Sequence, residues 1–238
     1  MQKLEKIVEG LREFVKKTAL KKVVLGLSGG VDSALVAKLG VMALGKENVA
    51  AILMPNYGIS SEHSVADATL WAEALGIKYQ QIPIQHFVQN YKTLPWAESS
   101  EARMNIQSRI RATILYHYAN SHQALVLGTG NKTELTLGYF TKFGDGAADV
   151  LPIGNLYKTE VWEMAKALDL PEVIIKKTPS AELREGHTDE AEIGMSYQEI
   201  DEILKKFEGG GKAETENEKR LEERIEMNRH KSQPPPII

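Results

Sequence analysis

Hydrophobic positions follow two patterns along this chain, short aliphatic runs and longer stretches with apolar residues at helical spacing. The runs predict buried strands and the longer stretches predict amphipathic helices. Because the two alternate over the first half, the order predicts an α/β fold with a doubly wound, mostly parallel sheet. The predicted helices span residues 1–20, 60–75, 101–121, 159–168, 197–207 and 212–228, with another opening at 32, and the predicted strands span 23–27, 49–54, 78–84 and 124–128.

Two segments, residues 85–100 and 183–193, show no clear apolar period. We expect both to be surface loops that become ordered only when substrates bind, since neither can bury enough surface to offset its ordering entropy. The length of 238 residues suits one domain. We therefore expect residues 1–238 to form a single domain with a helical C-terminal extension from about residue 196.

The composition is that of an ordinary globular protein, with 42% hydrophobic and 26% charged residues. A net charge of −3 offers no positive field that would attract nucleic acid. The chain contains no cysteine, which excludes disulfides, thiolate metal sites and a cysteine nucleophile. Since it also has no apolar run of membrane-spanning length and no signal-like start, we expect a cytoplasmic protein without nucleic-acid or membrane partners.

The main candidate for a functional site is one short stretch, VVLGLSGGVDSALVAKL at residues 23–39. Its strand is followed at once by a Ser-Gly-Gly turn, and Asp32 and Ser33 then open a helix. Glycines let the backbone approach a phosphate closely, and backbone N–H groups with the helix dipole favour an anion. The stretch is neither a Walker A loop, since no Lys follows the glycines, nor a GxGxxG turn. The alternative is a plain glycine turn with Asp32 as a helix cap.

A second polar stretch, GTGNKTE, ends the last predicted strand. Ligands of open α/β sheets bind at the C-terminal ends of the strands, so we expect this loop to reach the same site. Glu134 taken alone also fits a solvated acid at a helix start. Lys158 lies at a predicted helix start, where the dipole disfavours a cation, and a bound anion would explain it.

The motifs SGGVDS, GTGNKTE, FTKFGDGAADVLPIGNLYK, TPSAEL and a final HK before prolines occur in this order. Together they resemble the ammonia-dependent NAD synthetases of the N-type ATP pyrophosphatase family, over nearly the whole chain from about Val23. The resemblance implies a Rossmann-like sheet of the adenine nucleotide alpha hydrolase type. It also implies a C–N ligase, which uses ATP and ammonia to convert deamido-NAD (nicotinic acid adenine dinucleotide) to NAD through an acyl-adenylate, releasing AMP and pyrophosphate.

The resemblance also implies site residues, none of them a covalent nucleophile. Asp32 and Glu134 match Mg²⁺ ligands, and Ser180 stands where the family usually has Thr. For His230 and Lys231, which match deamido-NAD contacts, the alternative interpretation is a solvated, charged C-terminal tail. The implied ATP contacts are Gly26, Leu27, Ser28, Gly29, Gly30, Val31, Asp32, Ser33, Thr129, Lys158 and Ser180, and the implied deamido-NAD contacts are Arg109, Lys142, Asp149, His230 and Lys231.

A homodimer with the dinucleotide near the subunit interface is also implied. Glutamine-dependent family members carry an additional nitrilase-like domain with a catalytic cysteine, and this chain has no cysteine. We therefore expect no glutaminase domain and free ammonia as the nitrogen source, with delivery of ammonia by another subunit as the alternative.

Two kinds of alternative function compete with this interpretation. One is another pyrophosphate-loop enzyme, such as a GMP synthetase-like amidating enzyme or a tRNA lysidine or thiolation enzyme. These leave FTKFGDG unexplained, and thiolation enzymes generally need cysteines. The other is a non-catalytic adenine-nucleotide-binding module. The joint presence of Asp32, Glu134 and Lys158 argues against it, because a sensor does not need a pair of metal ligands.

Overall fold

The computed structural model describes residues 2–184, 186 and 188–237. The strands are β1 (Lys22–Gly26), β2 (Val49–Leu53), β3 (Lys78–Gln81) and β4 (Ala124–Val126). The helices are α1 (Gln2–Lys17), α2 (Val31–Leu44), α3 (Glu62–Leu75), α4 (Gln85–Tyr91), α5 (Ser100–His122), α6 (Lys132–Leu137), α7 (Lys158–Ala167), α8 (Glu172–Ile175), α9 (Asp189–Ile193), α10 (Tyr197–Glu208) and α11 (Glu216–Asn228). Short 3₁₀ turns lie at Lys46–Asn48 and Arg229–Lys231.

The strands form a parallel sheet in the order β3-β2-β1-β4, which confirms the predicted α/β fold. Val23 is paired with Val49 on one side and Leu125 on the other, so β1 lies inside the sheet. Strands covered on both faces read as continuous aliphatic runs, as β1 and β2 do. The edge strand β3 is exposed along its length and correspondingly polar.

Helices cover both faces of the sheet, and each face has its own core. Val23 and Leu25 point to the face packed by α1, α2 and α7, whereas Val24 points to the face packed by α5. This alternation follows from the two-residue period of a strand. The glycine turn after β1 therefore leads into α2 on one face of the sheet, while α5 covers the opposite face.

A third hydrophobic cluster joins the C-terminal helices to α6. Its centre is Tyr197, which is fully buried together with Leu137 of α6 and Leu221 of α11. Ser196 caps α10, and Thr215 with Glu218 forms a capping box at the start of α11. The division into one domain with an extension from about residue 196 stays a prediction.

The prediction of surface loops was wrong in part for both segments without an apolar period. Residues 85–91 form α4, whose Val88 is buried in the α5-side core. Asp189–Ile193 forms α9, with Ile193 buried against α10. Helices this short present only one or two apolar residues, so no period is detectable. Glu185 and His187 of the second segment lie outside the described residues, and ordering upon substrate binding stays a prediction.

Two more short helices, α6 and α8, were not predicted, and β3 ends three residues earlier than expected. Elsewhere the predicted long helices and strands agree with the observed elements to within a few residues. Within the described residues, no helix combines the length and apolarity needed to cross a membrane.

Candidate active site

A cavity of about 550 Å³ opens at the C-terminal ends of β1, β2 and β4, where open parallel sheets bind ligands. The turn after β1 and the start of α2 form one wall, and α5 forms the other. Further lining comes from the loop after β4, from α6 and the loop that follows it, from the start of α7, from residues 177–183, and from α9, α11 and the turn after α11.

The turn between β1 and α2 is held in a fixed shape. Gly29 has φ +82°, and a Cβ at this position would lie 2.2 Å from the carbonyl oxygen of Ser64. The hydroxyl of Ser33 donates to the Gly30 carbonyl at 3.0 Å and lies 3.0 Å from the Ser28 hydroxyl. The first N–H groups of α2 have no partner within the helix, so this turn presents a preformed anion-binding site.

Asp32 is not the helix cap that the alternative interpretation required. The cap position of α2 is Gly30, which has no side chain, and Asp32 lies in the first turn of the helix. Its carboxylate instead reaches across the cavity, accepting hydrogen bonds from Asn131 Nδ2 at 2.9 Å and from Lys158 Nζ at 2.5 Å.

Lys158 lies between two carboxylates. Its side chain is only 3% exposed, and its ammonium is 2.5 Å from Asp32 Oδ2 and 3.7 Å from Glu134 Oε1. Burial alone would lower the pKa of Lys158, but the charges of Asp32 and Glu134 outweigh it and hold that pKa above its ordinary value. Burial, reinforced by the charge of Asp32, raises the pKa of Glu134 to about 8. A further cation in this cluster would favour the ionised form of Glu134.

A capping box places Glu134. Asn131 Oδ1 accepts from the Glu134 N–H at 3.0 Å, and Glu134 Oε2 accepts from the Asn131 N–H at 3.2 Å. Glu134 is thus a helix-start acid, as its alternative interpretation held, but its side chain is largely buried and its other oxygen faces Lys158. Asn131, fully buried, orients both Asp32 and Glu134, and sequence reasoning did not single it out.

A buried network fixes the starts of α6 and α7 relative to each other. Thr133 of α6 donates to Asp201 Oδ1 at 2.5 Å and accepts from the Lys158 N–H at 2.9 Å. Asp201 Oδ2 accepts from the Thr159 N–H at 2.8 Å. Asp201, on α10, therefore holds the helices that carry Glu134 and Lys158, although it does not line the cavity.

Residues 177–183 are fastened over the turn after β1. Lys177 Nζ donates to the Gly29 carbonyl at 3.0 Å and to Asp67 of α3 at 2.5 Å. Glu182 accepts from the Ser64 hydroxyl at 2.5 Å and from the Ser61 N–H at 3.2 Å. The sequence analysis identified the TPSAEL motif but did not predict these contacts of Lys177 and Glu182, because their partners lie more than 100 residues away in the sequence.

Most of the residues expected to contact ATP line this one cavity, as do both expected metal ligands. Gly29 lies in the same turn but does not line the cavity, since it packs against Ser64. Only one of the expected deamido-NAD contacts lines the cavity as well. The expected residues found in its lining are Gly26, Leu27, Ser28, Gly30, Val31, Asp32, Ser33, Thr129, Glu134, Lys158, Ser180 and Lys231.

The other expected deamido-NAD contacts lie outside this cavity. Arg109 Nε donates to the Lys142 carbonyl at 3.3 Å, and Lys142 Nζ donates to the His230 carbonyl at 2.8 Å. Lys231 continues this row, donating to the carbonyl of Gly138 at 2.8 Å. The result is a basic row from α5 to the C-terminal turn, extending outward from the cavity.

Asp149 is held apart from this row. Its carboxylate accepts from the Val126 N–H at 2.7 Å and from the Tyr116 hydroxyl at 3.4 Å. These bonds tie the loop at 149 to the end of β4. The structure thus shows a structural contact for Asp149, and its contact to a ligand stays a prediction.

The donor set suits a magnesium ion shared with a phosphate ligand. Mg²⁺ commonly takes one or two carboxylates from the protein and completes its shell with phosphate oxygens and water. Asp32 and Glu134 supply two carboxylates beside the anion-binding turn, where burial and then the charge of Asp32 raise the pKa of Glu134. Among the described residues no group of three acidic, His or Cys side chains could hold a metal without such a ligand.

Comparisons with known proteins agree on one family. The sequence profile of the NAD synthase family matches residues 3–235. The NH₃-dependent NAD⁺ synthetase of Archaeoglobus fulgidus is 49% identical over 234 residues, covering 98% of this chain and 95% of the relative.

Two solved structures are similar over the whole chain. The NMN synthetase from Francisella tularensis has a TM-score of 0.91 and 36% identity, covering 100% of this chain and 97% of its own. The NH₃-dependent NAD synthetase from Campylobacter jejuni, solved with a nitrate ion, has a TM-score of 0.86 and 37% identity with the same coverage.

Proposed function

Since this chain belongs to the NAD synthase family, we propose that it amidates deamido-NAD with ammonia to form NAD at the expense of ATP. The carboxylate of the substrate is first adenylated, with release of pyrophosphate, and ammonia then displaces AMP. The observation that carries this proposal is the cavity, where an anion-binding turn, two carboxylates and Lys158 meet.

The chemistry requires a carboxylate oxygen to become a good leaving group. In the first step that oxygen forms a bond to the α-phosphorus while the bond from the α-phosphorus to the bridging oxygen breaks, and its electron pair leaves on pyrophosphate. In the second step the nitrogen of ammonia bonds to the acyl carbon, AMP leaves and a proton is lost to water. Neither step needs a covalent enzyme intermediate, so positioning and charge can supply the catalysis.

The wall formed by the turn after β1 and the start of α2 binds the phosphates of ATP in this proposal. Backbone N–H groups with Ser28 and Ser33 donate to phosphate oxygens, and Lys158 offers a cation beside them. Asp32 and Glu134 would hold Mg²⁺, which when bound neutralises charge on the departing pyrophosphate. Residues 177–183, fastened to α3, cover the turn and help keep water from the acyl-adenylate.

The basic row from Arg109 through Lys142 to His230 and Lys231 is the proposed contact surface for deamido-NAD. The row begins at Lys231 in the cavity lining and continues outside the cavity, which suits a dinucleotide that is longer than the cavity and carries its own pyrophosphate. Much of the row is exposed, so a second subunit could cover it. We accordingly propose a homodimer, and the cytoplasmic location stays a prediction from the sequence.

The experiment is to incubate the purified protein with ATP, Mg²⁺, ammonium and deamido-NAD and to follow NAD and AMP by chromatography. Equal amounts of the two products are expected, and neither should form without the acid substrate. AMP release without NAD, or no turnover of deamido-NAD, would contradict the proposal.

The resemblance to the Francisella tularensis structure supports a second candidate, formation of NMN from nicotinic acid mononucleotide. The two candidates share every chemical step and differ in the AMP half of the acid substrate. Comparing kcat/KM for the two acids separates them. We expect the dinucleotide to give the higher value, because the basic row would lose its ligand with the mononucleotide; the reverse order would favour the second candidate.

A further inference from the structure

Helix α5 directs two arginines, two residues apart, to different surroundings. Residues at this spacing are about 200° apart around a helix, so they cannot share a face. Arg109 is exposed and does not line the cavity, whereas Arg111 is partly buried and does. Arg111 Nε donates to the carbonyl of Met54 at 3.1 Å, just beyond the end of β2. This bond fixes the guanidinium against the edge of the sheet.

Arg111 lines the same cavity as Lys158 and Lys177, but unlike theirs its charge is not paired with a carboxylate. Lys158 contacts Asp32, and Lys177 contacts Asp67. Within the described part of the chain, the bond to Met54 is the one hydrogen bond of the Arg111 side chain, and no carboxylate lies within ion-pair distance. Its two terminal amino groups are therefore available to a ligand.

The acidic groups nearest to Arg111 are engaged elsewhere. Glu182 accepts from Ser61 and Ser64, and Asp145 accepts from the Thr141 N–H at 2.9 Å. Burial lowers the pKa of Arg111 to about 10, against the opposing charges of Asp145 and Glu182. The guanidinium therefore still carries its charge at neutral pH but lacks a direct counter-ion, and an anion in the cavity would stabilise it.

We propose that Arg111 binds an oxyanion of the reacting groups, the substrate carboxylate or the α-phosphoryl group of ATP, from the α5 wall of the cavity. This inference rests on the proposed function and adds a residue that the family motifs above do not include. The anion-binding turn and Lys158 hold the phosphates from the α2 wall, so Arg111 approaches from the other side.

The chemistry of the first step explains why a cation is needed there. A carboxylate must approach an α-phosphorus that is itself surrounded by anionic oxygens. A guanidinium presents parallel N–H donors that can bind oxygens of one or both groups. Because the group is held by Met54 and has no competing acid, binding requires neither the breaking of an ion pair nor a large movement.

The test compares Arg111→Met, which removes the charge, Arg111→Lys, which keeps it, and Arg103→Met as a matched control. Arg103 is an exposed arginine on the same helix, 3.8 Å from Glu98 and outside the cavity. We expect Arg111→Met to lower kcat/KM by about 100-fold, the usual effect of losing a donor to a developing oxyanion. Arg111→Lys should recover part of the loss, and the control should match the wild type.

Calorimetric titrations with a non-hydrolysable ATP analogue and, separately, with deamido-NAD distinguish the two sources of the oxyanion. Weaker binding of deamido-NAD by Arg111→Met assigns the carboxylate, and weaker binding of the analogue assigns the α-phosphoryl group. A lower kcat with both affinities retained assigns binding to the transition state. Each of these outcomes supports the proposal.

Thermal unfolding separates binding from a structural role. Because Arg111 is partly buried and has no ion pair to lose, its replacement by Met should leave Tm within a few degrees of the wild type. A kcat/KM within about threefold of the wild type (less than 0.7 kcal/mol) would overturn the proposal, as would a loss of activity that only tracks a fall in Tm. If the wild type forms no NAD, the proposed function fails instead, and Arg111 is then judged by affinity for the ATP analogue, which Arg111→Met must weaken at least about tenfold.

Discussion

Asp32 of α2 accepts hydrogen bonds from Asn131, the cap of α6, and from Lys158 at the start of α7, so its carboxylate connects three elements of the cavity. We predict that Asp32→Asn lowers kcat by about 100-fold or more, because Asn keeps the shape but removes the charge that would hold Mg²⁺ beside the phosphates. Removal of the Asp32 charge also removes one cause of the raised pKa of Glu134, so Glu134, 3.7 Å from Lys158, can ionise and offset the Lys158 charge, and the fold should persist. Steady-state NAD formation and circular dichroism measure the two effects.

Asp169→Asn is the matched control for this substitution, since Asp169 is an exposed acid just beyond α7. It should leave both kcat and the spectrum unchanged. Near wild-type turnover of Asp32→Asn at saturating Mg²⁺ would contradict the role of Asp32 as a metal ligand.

Gly29 and Gly30 are adjacent but have opposite steric requirements. Gly29 has φ +82°, and an added Cβ would lie 2.2 Å from the Ser64 carbonyl oxygen, a backbone atom that cannot rotate away. Gly30 has φ −87°, and its added Cβ would meet the Ser28 hydroxyl at 3.4 Å. We predict that Gly29→Ala lowers the free energy of unfolding by at least about 2 kcal/mol, whereas Gly30→Ala changes it by less than about 1 kcal/mol. Urea denaturation followed by fluorescence measures the stability of both variants. Equal stability would show that the backbone at Ser64 can move to accommodate a Cβ at position 29.

At the scale of elements, the site depends on how α6 and α7 are joined through α10. Asp201 is 1% exposed and accepts from both Thr133 and the Thr159 N–H. In Asp201→Asn one acceptor becomes a donor and faces an existing donor. We predict a loss of about 1–3 kcal/mol in the free energy of unfolding, the cost of an unsatisfied buried polar group.

The same substitution should also lower kcat, because α6 carries Glu134 and α7 carries Lys158. Glu202→Gln makes the same chemical change at the next position of α10, which is exposed, and should alter neither stability nor activity. A destabilised Asp201→Asn with full kcat would mean that the network supports the fold without positioning the site.

The elements that the sequence predicted are those with several turns or a buried aliphatic run. The hydrophobic patterns of β1, β2 and α5 are long enough to identify these elements from the sequence alone. The helices α4, α6, α8 and α9 have between four and seven residues, so tertiary contacts and caps decide them. For α6 a signal was present, since Asn131 and Glu134 have the spacing of a capping box.

The same distinction holds for the candidate site: its features formed by contiguous residues were predicted, whereas those formed by distant residues were not. The turn at 28–33 is local, and its strand, glycines and helix start are contiguous in the sequence. The pairs Lys177–Asp67 and Glu182–Ser64 join residues more than 100 positions apart, and neither spacing nor residue type indicates them. For Arg111 the sequence indicates that it opposes Arg109, but which of the two faces the cavity depends on how α5 packs.

At the scale of the whole molecule, the cavity and the basic row have different properties. The cavity is enclosed by the sheet edge, α5 and residues 177–183, and it holds the charges needed for activation. In the row from Arg109 to His230, the cationic side chains of Arg109 and Lys142 donate to backbone carbonyls outside the cavity. The groups that we propose for activation of the carboxylate thus lie in the cavity, whereas most of the proposed contacts for the rest of the dinucleotide lie outside it.

The nitrogen source is a property of the whole chain, and we predict that glutamine cannot replace ammonium. Release of ammonia from glutamine in the glutamine-dependent enzymes uses a cysteine thiolate, and these 238 residues contain no cysteine. With ammonia-free glutamine, NAD formation should fall to the level measured without any nitrogen source, whereas ammonium chloride should restore it. Adding a separate glutaminase is the control, since it supplies ammonia from the same glutamine and should recover the rate. NAD formation from glutamine that persists with a glutaminase inhibitor present would show that the chain obtains nitrogen by a route that needs no thiolate.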